Sequence, residues 1–359
     1  MKGSDWKALA AVNELARSDF HEAALTLIGT PETLTARYRG TYSGGERTIT
    51  HDDRVLASLM MQVSGSRLKL FADLFDDDDE VAVEIDTSTL TLSAGMSTIS
   101  LVTIVGFDDR PIEAVMPPPQ AFIEATSVAD EVDLATYFTA RTMVKPLLTG
   151  LHLELANGRI GIEVSNGFST LLRSSVSCET TEEVRTTTTV QAYDFLLGLL
   201  MMGTGKVGIY MNSERNRLIL SSPNAMFSCS GLVGTWPDFS AIEKEPEGGR
   251  SVLTVSADQV KALVSGAKSL DASNTIEVIG DASGTVLQTG RSETGMFKLR
   301  VDDHLRGSYH FDVEDMIRAA RLGSQLSLEI DETGASPTLI RSLSQSDRRY
   351  WISSRVSRA

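Results

Sequence analysis

The stretch RLKLFADLFDDDDEVAVEIDTSTLTLSAGMSTISL, residues 67–101, predicts a short helix followed by three strands. Apolar pairs four residues apart, Leu70-Phe71 and Leu74-Phe75, are typical of one face of an amphipathic helix. Beyond the acidic run Asp76–Glu80, apolar and polar residues alternate with the period of a β-strand. We therefore expect a unit in which one helix packs on a small antiparallel sheet.

The same order of residues returns in YDFLLGLLMMGTGKVGIYMNSERNRLILSSPNAMFSC, residues 193–229. Leu70 corresponds to Leu196, an offset of 126 positions, and the second apolar pair corresponds to Leu200-Met201. Two residues are inserted before the strand that contains Leu218. Self-similarity at a fixed offset indicates a repeated architecture.

Four weaker copies extend this pattern over the chain. Helical stripes near Leu9, 134–144, Val260 and 311–320 are each followed by strands with alternating apolar and polar residues. The two strands after the stripe at 134–144 are joined by an Asn157-Gly158 turn. The count is six helix-plus-sheet units, two per domain, with linkers near 116–119 and 243–250. The predicted domains are 1–118, 119–245 and 246–359. The alternative is a generic α+β array whose repeats share no function.

Composition narrows the class of protein. The chain has 359 residues, a net charge of −15 and two cysteines, Cys178 and Cys229, too few for a disulfide framework. The first residues lack a signal-peptide pattern, and no apolar run is long enough to span a membrane. We expect a cytoplasmic protein with no membrane partner. The acidic balance argues against nucleic acid unless basic residues are confined to one surface.

Catalytic motifs are absent from the sequence. The five histidines show no metal-binding spacing, and neither a nucleophile elbow nor a phosphate-binding glycine loop occurs. His152 falls in a predicted strand and is interpreted as a surface or core residue. The run Asp76–Glu80 is interpreted as a solvated turn, because its counterpart 202–206 has no acid. The sequence predicts no enzyme activity, no metal and no cofactor.

Six short segments follow one another along the chain: LTLSAGMSTISL (90–101), VKPLLTGLHLEL (144–155), VSNGF (164–168), GTWPDFSAI (234–242), SPTLIRS (336–342) and RRYWISSRV (348–356). In this order and spacing they resemble segments of the β subunit of bacterial DNA polymerase III, the β sliding clamp. The first ~60 residues match this family least well.

The resemblance implies an α+β fold of three repeated DNA-clamp domains, with helices lining a ring and sheets outside. Two subunits would close the ring head to tail as a homodimer, pairing edge strands at the ends of the chain. The ring would encircle double-stranded DNA without sequence preference and tether a DNA polymerase after a clamp loader places it there. The alternatives are a clamp-like paralogue or phage-encoded clamp that serves another polymerase, and an enzyme on an unrelated α+β fold.

The resemblance also implies that basic residues of the predicted helices face phosphates. The charges of the six predicted helices cancel, so the acidic excess lies on strands and loops. Arg141 and Lys145, four apart, and Lys261 and Lys268, seven apart, would each share one helix face. The alternative for each base is ordinary complementation of the helix dipole. The predicted DNA-binding residues are Lys7, Arg17, Arg67, Lys69, Arg141, Lys145, Lys261, Lys268, Arg318 and Arg321.

Finally, the resemblance implies a cleft between the middle and last domains that takes a short partner peptide with hydrophobic anchors. Ser169-Thr170 stands where the family usually has Arg-Leu, and Ser353-Ser354-Arg355 departs from the family's C-terminal pattern. We therefore expect altered peptide specificity. The alternative is an intact site with compensating changes. The predicted lining residues are Leu148, Ser165, Gly167, Phe168, Thr170, Pro237, Ile242, Ser336 and Ile352.

Overall fold

The chain, in a computed structural model, divides into two compact units. Unit 1 comprises Met1–Asp130, Leu153–Ile160 and Ser177–Val233, and unit 2 comprises Glu131–His152, Gly161–Val176 and Gly234–Ala359. The division into the three domains 1–118, 119–245 and 246–359 stays a prediction. The structure describes residues 1–16, 24–40, 43–104, 112, 118–140, 145–167, 170–180, 183–188, 205–212, 217–269, 274–281, 284–291, 295–301, 303–345, 347–353 and 355–356.

Short helices alternate with strands over the described residues. Each buries one apolar face, as the stripe pattern predicts. In the apolar stripe predicted near Val260, the side chains of Val260, Leu263, Val264 and Ala267 are all buried, which confirms that prediction. The helix predicted at the start of the segment 193–229 lies outside the described residues. The α-helices are α1 (Gly3–Ala10), α2 (Gly65–Ala72), α3 (Ala125–Thr136), α4 (Ala257–Ser269) and α5 (Val313–Ala319).

The helix predicted from the apolar pairs Leu70-Phe71 and Leu74-Phe75 lies where it was expected. The prediction that both pairs form its buried face is wrong. Phe71 and Phe75 are buried, whereas Leu70 and Leu74 are 65% and 66% exposed. The helix α2 ends at Ala72 and buries Leu68 and Phe71 on one side. Because residues three and four apart share a helix face, Leu70 and Leu74 lie together on the solvent side.

The helix predicted over 131–145 is also corrected. The helix α3 ends at Thr136, where the Tyr137 amide donates to the Leu134 carbonyl and closes the last turn tightly. Lys145 instead precedes a separate 3-10 helix, Pro146–Thr149. Lys145 is therefore not on this helix, and Arg141, with which it was predicted to share a helix face, lies outside the described residues.

Unit 1 contains two antiparallel sheets. The larger has the order β4-β1-β2-β3-β15-β14-β13-β8, and the smaller has the order β5-β6-β7. Three strands after α2 and three within 206–230 confirm that part of the repeat. The strands of these two sheets are β1 (Ala24–Gly29), β2 (Thr33–Arg39), β3 (Ser43–Thr50), β4 (Met60–Ser64), β5 (Ala82–Asp86), β6 (Thr89–Ala94), β7 (Ser97–Val102), β8 (Ala121–Glu124), β13 (Lys206–Asn212), β14 (Arg217–Ser222) and β15 (Ala225–Ser230).

A second eight-stranded sheet has the order β12-β9-β10-β11-β23-β22-β21-β16, and a five-stranded sheet of unit 2 has the order β19-β18-β17-β20-β24. The predicted turn between β9 and β10 is confirmed, because Asn157 and Gly158 both have positive φ, 52° and 70°. The strands are β9 (Leu151–Ala156), β10 (Arg159–Ser165), β11 (Thr170–Ser177), β12 (Val184–Thr188), β16 (Ser251–Ser256), β17 (Thr275–Asp281), β18 (Gly284–Arg291), β19 (Gly295–Val301), β20 (Gly307–Asp312), β21 (Gln325–Ile330), β22 (Thr338–Ser342), β23 (Arg349–Ile352) and β24 (Arg355–Val356).

Candidate functional site

A hydrophobic row crosses three neighbouring strands of unit 2. Leu171 of β11 and Leu339 of β22 are both register partners of Trp351 on β23. All three side chains are buried and form one cluster. Because side chains alternate along a strand, the row occupies one face of the sheet, and Tyr350 and Ile352 point to the other.

An irregular segment, Gly234–Arg250, lies over this row, and we call it the strap. Its Phe239 and Ile242 pack against the hydrophobic row. Trp236 stacks on His152 of β9 with ring centroids 5.0 Å apart and lies edge-on to Phe239 at 6.2 Å. The motif GTWPDFSAI thus supplies three apolar contacts, spaced so that one short segment spans several strands.

Polar contacts fix the strap at several points. The Trp236 indole N–H donates to the Glu163 carboxylate, and Arg173 forms ion pairs with both Glu163 and Glu243. The Arg173 guanidinium also lies 6.0 Å from the centroid of the Trp351 ring. At the far end, Arg250 donates to the carbonyls of Glu329 and Pro337, at 3.1 and 2.6 Å.

The exposed surface of the strap carries a fixed negative charge. The Ser240 amide donates to Asp238 Oδ1 at 2.9 Å, and the Ser240 hydroxyl donates to Oδ2 at 3.0 Å. These hydrogen bonds hold the pKa of the Asp238 carboxyl below its ordinary value, because they favour the charged form. Asp238 is therefore ionised at neutral pH beside the apolar contacts of Phe239.

Two of the predicted lining residues lie on the strap, and three lie together elsewhere in unit 2. Pro237 is exposed and Ile242 is half-buried. Leu148 is buried against Gly167, where an added Cβ would lie 2.4 Å from Leu148 Cδ1. The Gly167 amide donates to the buried Ser165 hydroxyl at 3.0 Å, and its φ of 76° favours glycine.

The structure separates the other predicted lining residues from the row. Ile352 is fully buried on the opposite face of β23, and its register partner is Thr170. Ser336 lies before β22, where its amide donates to Asp331 at 2.8 Å. Phe168 lies outside the described residues. Leu171, Leu339 and Trp351 were not predicted from the sequence. Strand alternation would have indicated Leu171 and Trp351, which are adjacent to Thr170 and Ile352.

The predicted DNA-binding residues fall into two groups. Lys261 and Lys268 are exposed on α4, opposite its buried stripe, and Lys261 lies 3.1 Å from Asp258. Lys7 and Lys69 are paired with Asp77 and Asp73 at 2.6 and 3.5 Å. Such exposed pairs contribute little energy, so these bases remain available to a phosphate. Arg67 lies in the first turn of α2, and Arg17 lies outside the described residues.

Two arginines near α5 are held by the protein itself. Arg318 pairs with Asp315 at 2.9 Å and donates to the Tyr137 carbonyl at 3.1 Å. Arg321 lies 3.6 Å over the Tyr137 ring. Burial raises the pKa of the Asp315 carboxyl, which also accepts from the Tyr350 hydroxyl at 3.3 Å. These contacts favour a packing role for Arg318 over contact with DNA.

Two edge strands, one in each unit, are largely exposed. In unit 1, β7 is the edge of the three-stranded sheet, and Val102 is 63% exposed. In unit 2, β19 is the edge of the five-stranded sheet, with Met296 and Phe297 at 38% and 37%. Exposed apolar edges are liable to pair with another chain.

Metal and membrane features are not evident where the structure describes the chain. No cluster of three or more His, Cys, Asp or Glu side chains within the described ranges is placed to hold a metal ion. The run Asp76–Glu80 is a turn in which Asp77 and Asp78 pair with lysines. Among the described helices, none is long and apolar enough to cross a membrane. Both cysteines are free, and burial raises the pKa of Cys229 to about 11.

No known family model and no curated protein sequence matches the chain. Solved structures match over its whole length. A DNA polymerase III beta subunit from Thermotoga maritima has a TM-score of 0.84 at 13% identity, covering 100% of this chain and 98% of its own. A sliding clamp from Pseudomonas aeruginosa bound to griselimycin gives 0.82 at 16% identity, with coverage of 100% and 98%.

A third match is the Helicobacter pylori beta clamp bound to a DNA ligase peptide, with a TM-score of 0.76 at 16% identity and coverage of 99% and 98%. The agreement runs from end to end, so it is a likeness of the whole arrangement of elements rather than of one sheet. An unrelated α+β fold is thereby excluded. The chain has the DNA-clamp fold, the fold of bacterial DNA polymerase III beta subunits.

Proposed function

We propose that the protein is a DNA sliding clamp, a processivity factor that encircles duplex DNA and tethers a polymerase to it. The observation that carries the proposal is the end-to-end fold match at a TM-score of 0.84. Catalysis forms no part of this function. The partners in this account are double-stranded DNA, a DNA polymerase, a clamp loader and a second copy of the chain.

Two exposed edges support the proposal of a homodimer. Pairing β7 of one copy with β19 of the other would satisfy both rows of backbone groups and cover the apolar side chains at each edge. Leu70 of α2 and Leu74, two residues after its end, are both strongly exposed and belong to the same unit as β7. Two such contacts, related by a rotation that closes, give a ring rather than a filament.

Duplex DNA would be held by phosphate contacts alone. Lys261 and Lys268 present charge on an exposed helix face, while the chain as a whole carries −15. A wall that touches phosphates without reading bases permits sliding, because phosphate contacts carry no sequence information. The acidic remainder of the surface would discourage DNA from binding elsewhere.

The partner peptide would bind in the predicted cleft near Leu148 and Gly167 and along the exposed side of the strap, which covers the buried hydrophobic row. A clamp-like paralogue or a phage-encoded clamp that serves another polymerase is the second candidate, and the departures at Ser169-Thr170 and Ser353 favour it. Capture of polymerase subunits from host and phage sources would distinguish the two, because each clamp retains its own polymerase.

The assembly is tested by sedimentation equilibrium at micromolar concentration. We expect the native chain to be a dimer and Leu70→Glu/Leu74→Glu to be a folded monomer, because two charges would be buried at the interface. Val233→Glu, at a side chain 91% exposed in the same unit, is the matched control and should remain a dimer. A native monomer, or a double variant that dimerises like the control, would overturn this arrangement.

A further inference from the structure

Three arginines lie side by side two residues along from the hydrophobic row. Arg349 of β23 is the register partner of Arg173 on β11 and of Arg341 on β22. Side chains directly opposite on neighbouring strands have Cβ atoms about 5 Å apart, and like charges at that spacing are destabilising. A row of three guanidinium groups is therefore stable only where carboxylates compensate it.

The two outer arginines of this row are compensated. Arg173 pairs with Glu163 and Glu243, and Arg341 pairs with Glu329 at 2.6 Å. The central one is not. Arg349 is exposed, and within the described part of the chain no ion pair or side-chain hydrogen bond engages its guanidinium. The row thus leaves one cation open to an external anion.

The preceding residue, Arg348, is by contrast held by contacts within the protein. Arg348 is almost buried, pairs with Glu131 at 2.7 Å and donates to the Leu322 carbonyl at 3.0 Å. It contributes to packing on one side of the strand. Arg349 points to the other side, the face that carries Trp351 and the strap, because successive side chains alternate.

We propose that Arg349 anchors an acidic side chain of the partner peptide whose hydrophobic residues bind at the strap. This rests on the proposed peptide site. Trp351 lies two residues away, about 7 Å at roughly 3.4 Å per residue. An extended peptide would therefore place Asp or Glu two or three residues from its apolar anchor. Glu163, Glu243 and Glu329 are paired with the two outer arginines, so Arg349 offers a single positive charge, which suits one carboxylate better than a polyphosphate chain.

The test uses fluorescein-labelled ten-residue peptides with a central Leu-Phe pair. Asp, Asn or Lys is placed either two or three residues from this pair, on either side, and binding to the full-length protein is measured by anisotropy at low and moderate salt. The variants are Arg349→Gln, Arg349→Glu and the control Arg306→Gln, which changes an exposed arginine outside the three-arginine row, just before β20.

At one placement we expect the Asp peptide to bind about threefold or more tightly than the Asn peptide, with the advantage falling as salt rises. Arg349→Gln should remove the advantage without weakening the Asn peptide, Arg349→Glu should favour Lys, and Arg306→Gln should change nothing. An unchanged Asp preference in Arg349→Gln would overturn the role of Arg349 and leave the proposed peptide site standing. Failure of every peptide to bind overturns the peptide site as well. Loss of duplex binding in Arg349→Gln, with peptides unaffected, would assign the anion to DNA and also overturn it.

Discussion

Trp236 stacks on His152 with the two ring planes only 4° apart, and its N–H is bonded to Glu163. This arrangement holds one end of the strap against the sheet. Replacing Trp236 by Ala should release Phe239 and Ile242 from the hydrophobic row. We expect hydrogen exchange of the Ile242 and Glu243 amides, which bond within the strap, to accelerate at least tenfold. Trp236→Phe keeps a ring but lacks the N–H, so its exchange rates should lie between those of the native protein and Trp236→Ala. Unchanged exchange rates in Trp236→Ala would contradict this account of the strap.

The peptide site should have departed from the usual specificity of the family. Ser169-Thr170 replaces an Arg-Leu pair, and a leucine-sized apolar wall contributes on the order of 1–2 kcal/mol, tenfold or more in affinity. We expect a fluorescent consensus clamp-binding peptide to bind more weakly than low-micromolar. Low-micromolar or tighter binding that is abolished by Leu148→Asp would show a conventional site instead.

The basic face of α4 should contribute to retention on DNA. Replacing Lys261 and Lys268 by Ala removes two exposed charges without touching the buried stripe. For every phosphate that is no longer neutralised, the slope of log affinity against log salt should fall by about 0.9. The control is Lys206→Ala/Lys244→Ala, which makes the same charge change at two other exposed lysines. Equal processive synthesis and equal salt slopes in the two double variants would contradict this assignment.

The buried ion pair between Arg348 and Glu131 should matter for stability rather than function. Truncation of Arg348 leaves a carboxylate in a nearly buried site, which typically costs about 3–5 kcal/mol. Arg349→Ala, at the exposed neighbour, should change the free energy of unfolding by less than about 0.5 kcal/mol. Denaturant unfolding of both variants compares them directly. Equal midpoints would show that the pair does not stabilise the fold.

Periodicity in the sequence was sufficient for most of the fold. The stripe of α4, the strands on either side of Asn157-Gly158 and the three strands after α2 all follow from local residue patterns. Helix ends were less predictable. The helix α3 stops at Thr136 because its last turn tightens, and no proline or glycine marks that position.

The candidate site was predicted only in part, for a reason of geometry. A strand's side chains alternate, so an alignment displaced by one residue exchanges the two faces of the sheet. Ile352 and Thr170, both predicted to line the cleft, are register partners, and their neighbours Trp351 and Leu171 face the strap. The cleft itself stays a prediction. The strap itself was indicated by GTWPDFSAI, but its contacts with Glu163 and His152 join residues distant in sequence. No local pattern records those contacts.

Encirclement of DNA by a closed ring is tested most directly by linearising a circular DNA on which the protein has been loaded. The protein is loaded onto nicked circular DNA with a clamp loader and ATP, isolated by gel filtration, and treated with an enzyme that linearises the circle. A closed ring predicts that the protein stays with the circle and is released once the DNA has ends, at unchanged salt. Equal retention on circular and linear DNA would contradict the account, because it would show binding to the surface of DNA rather than encirclement.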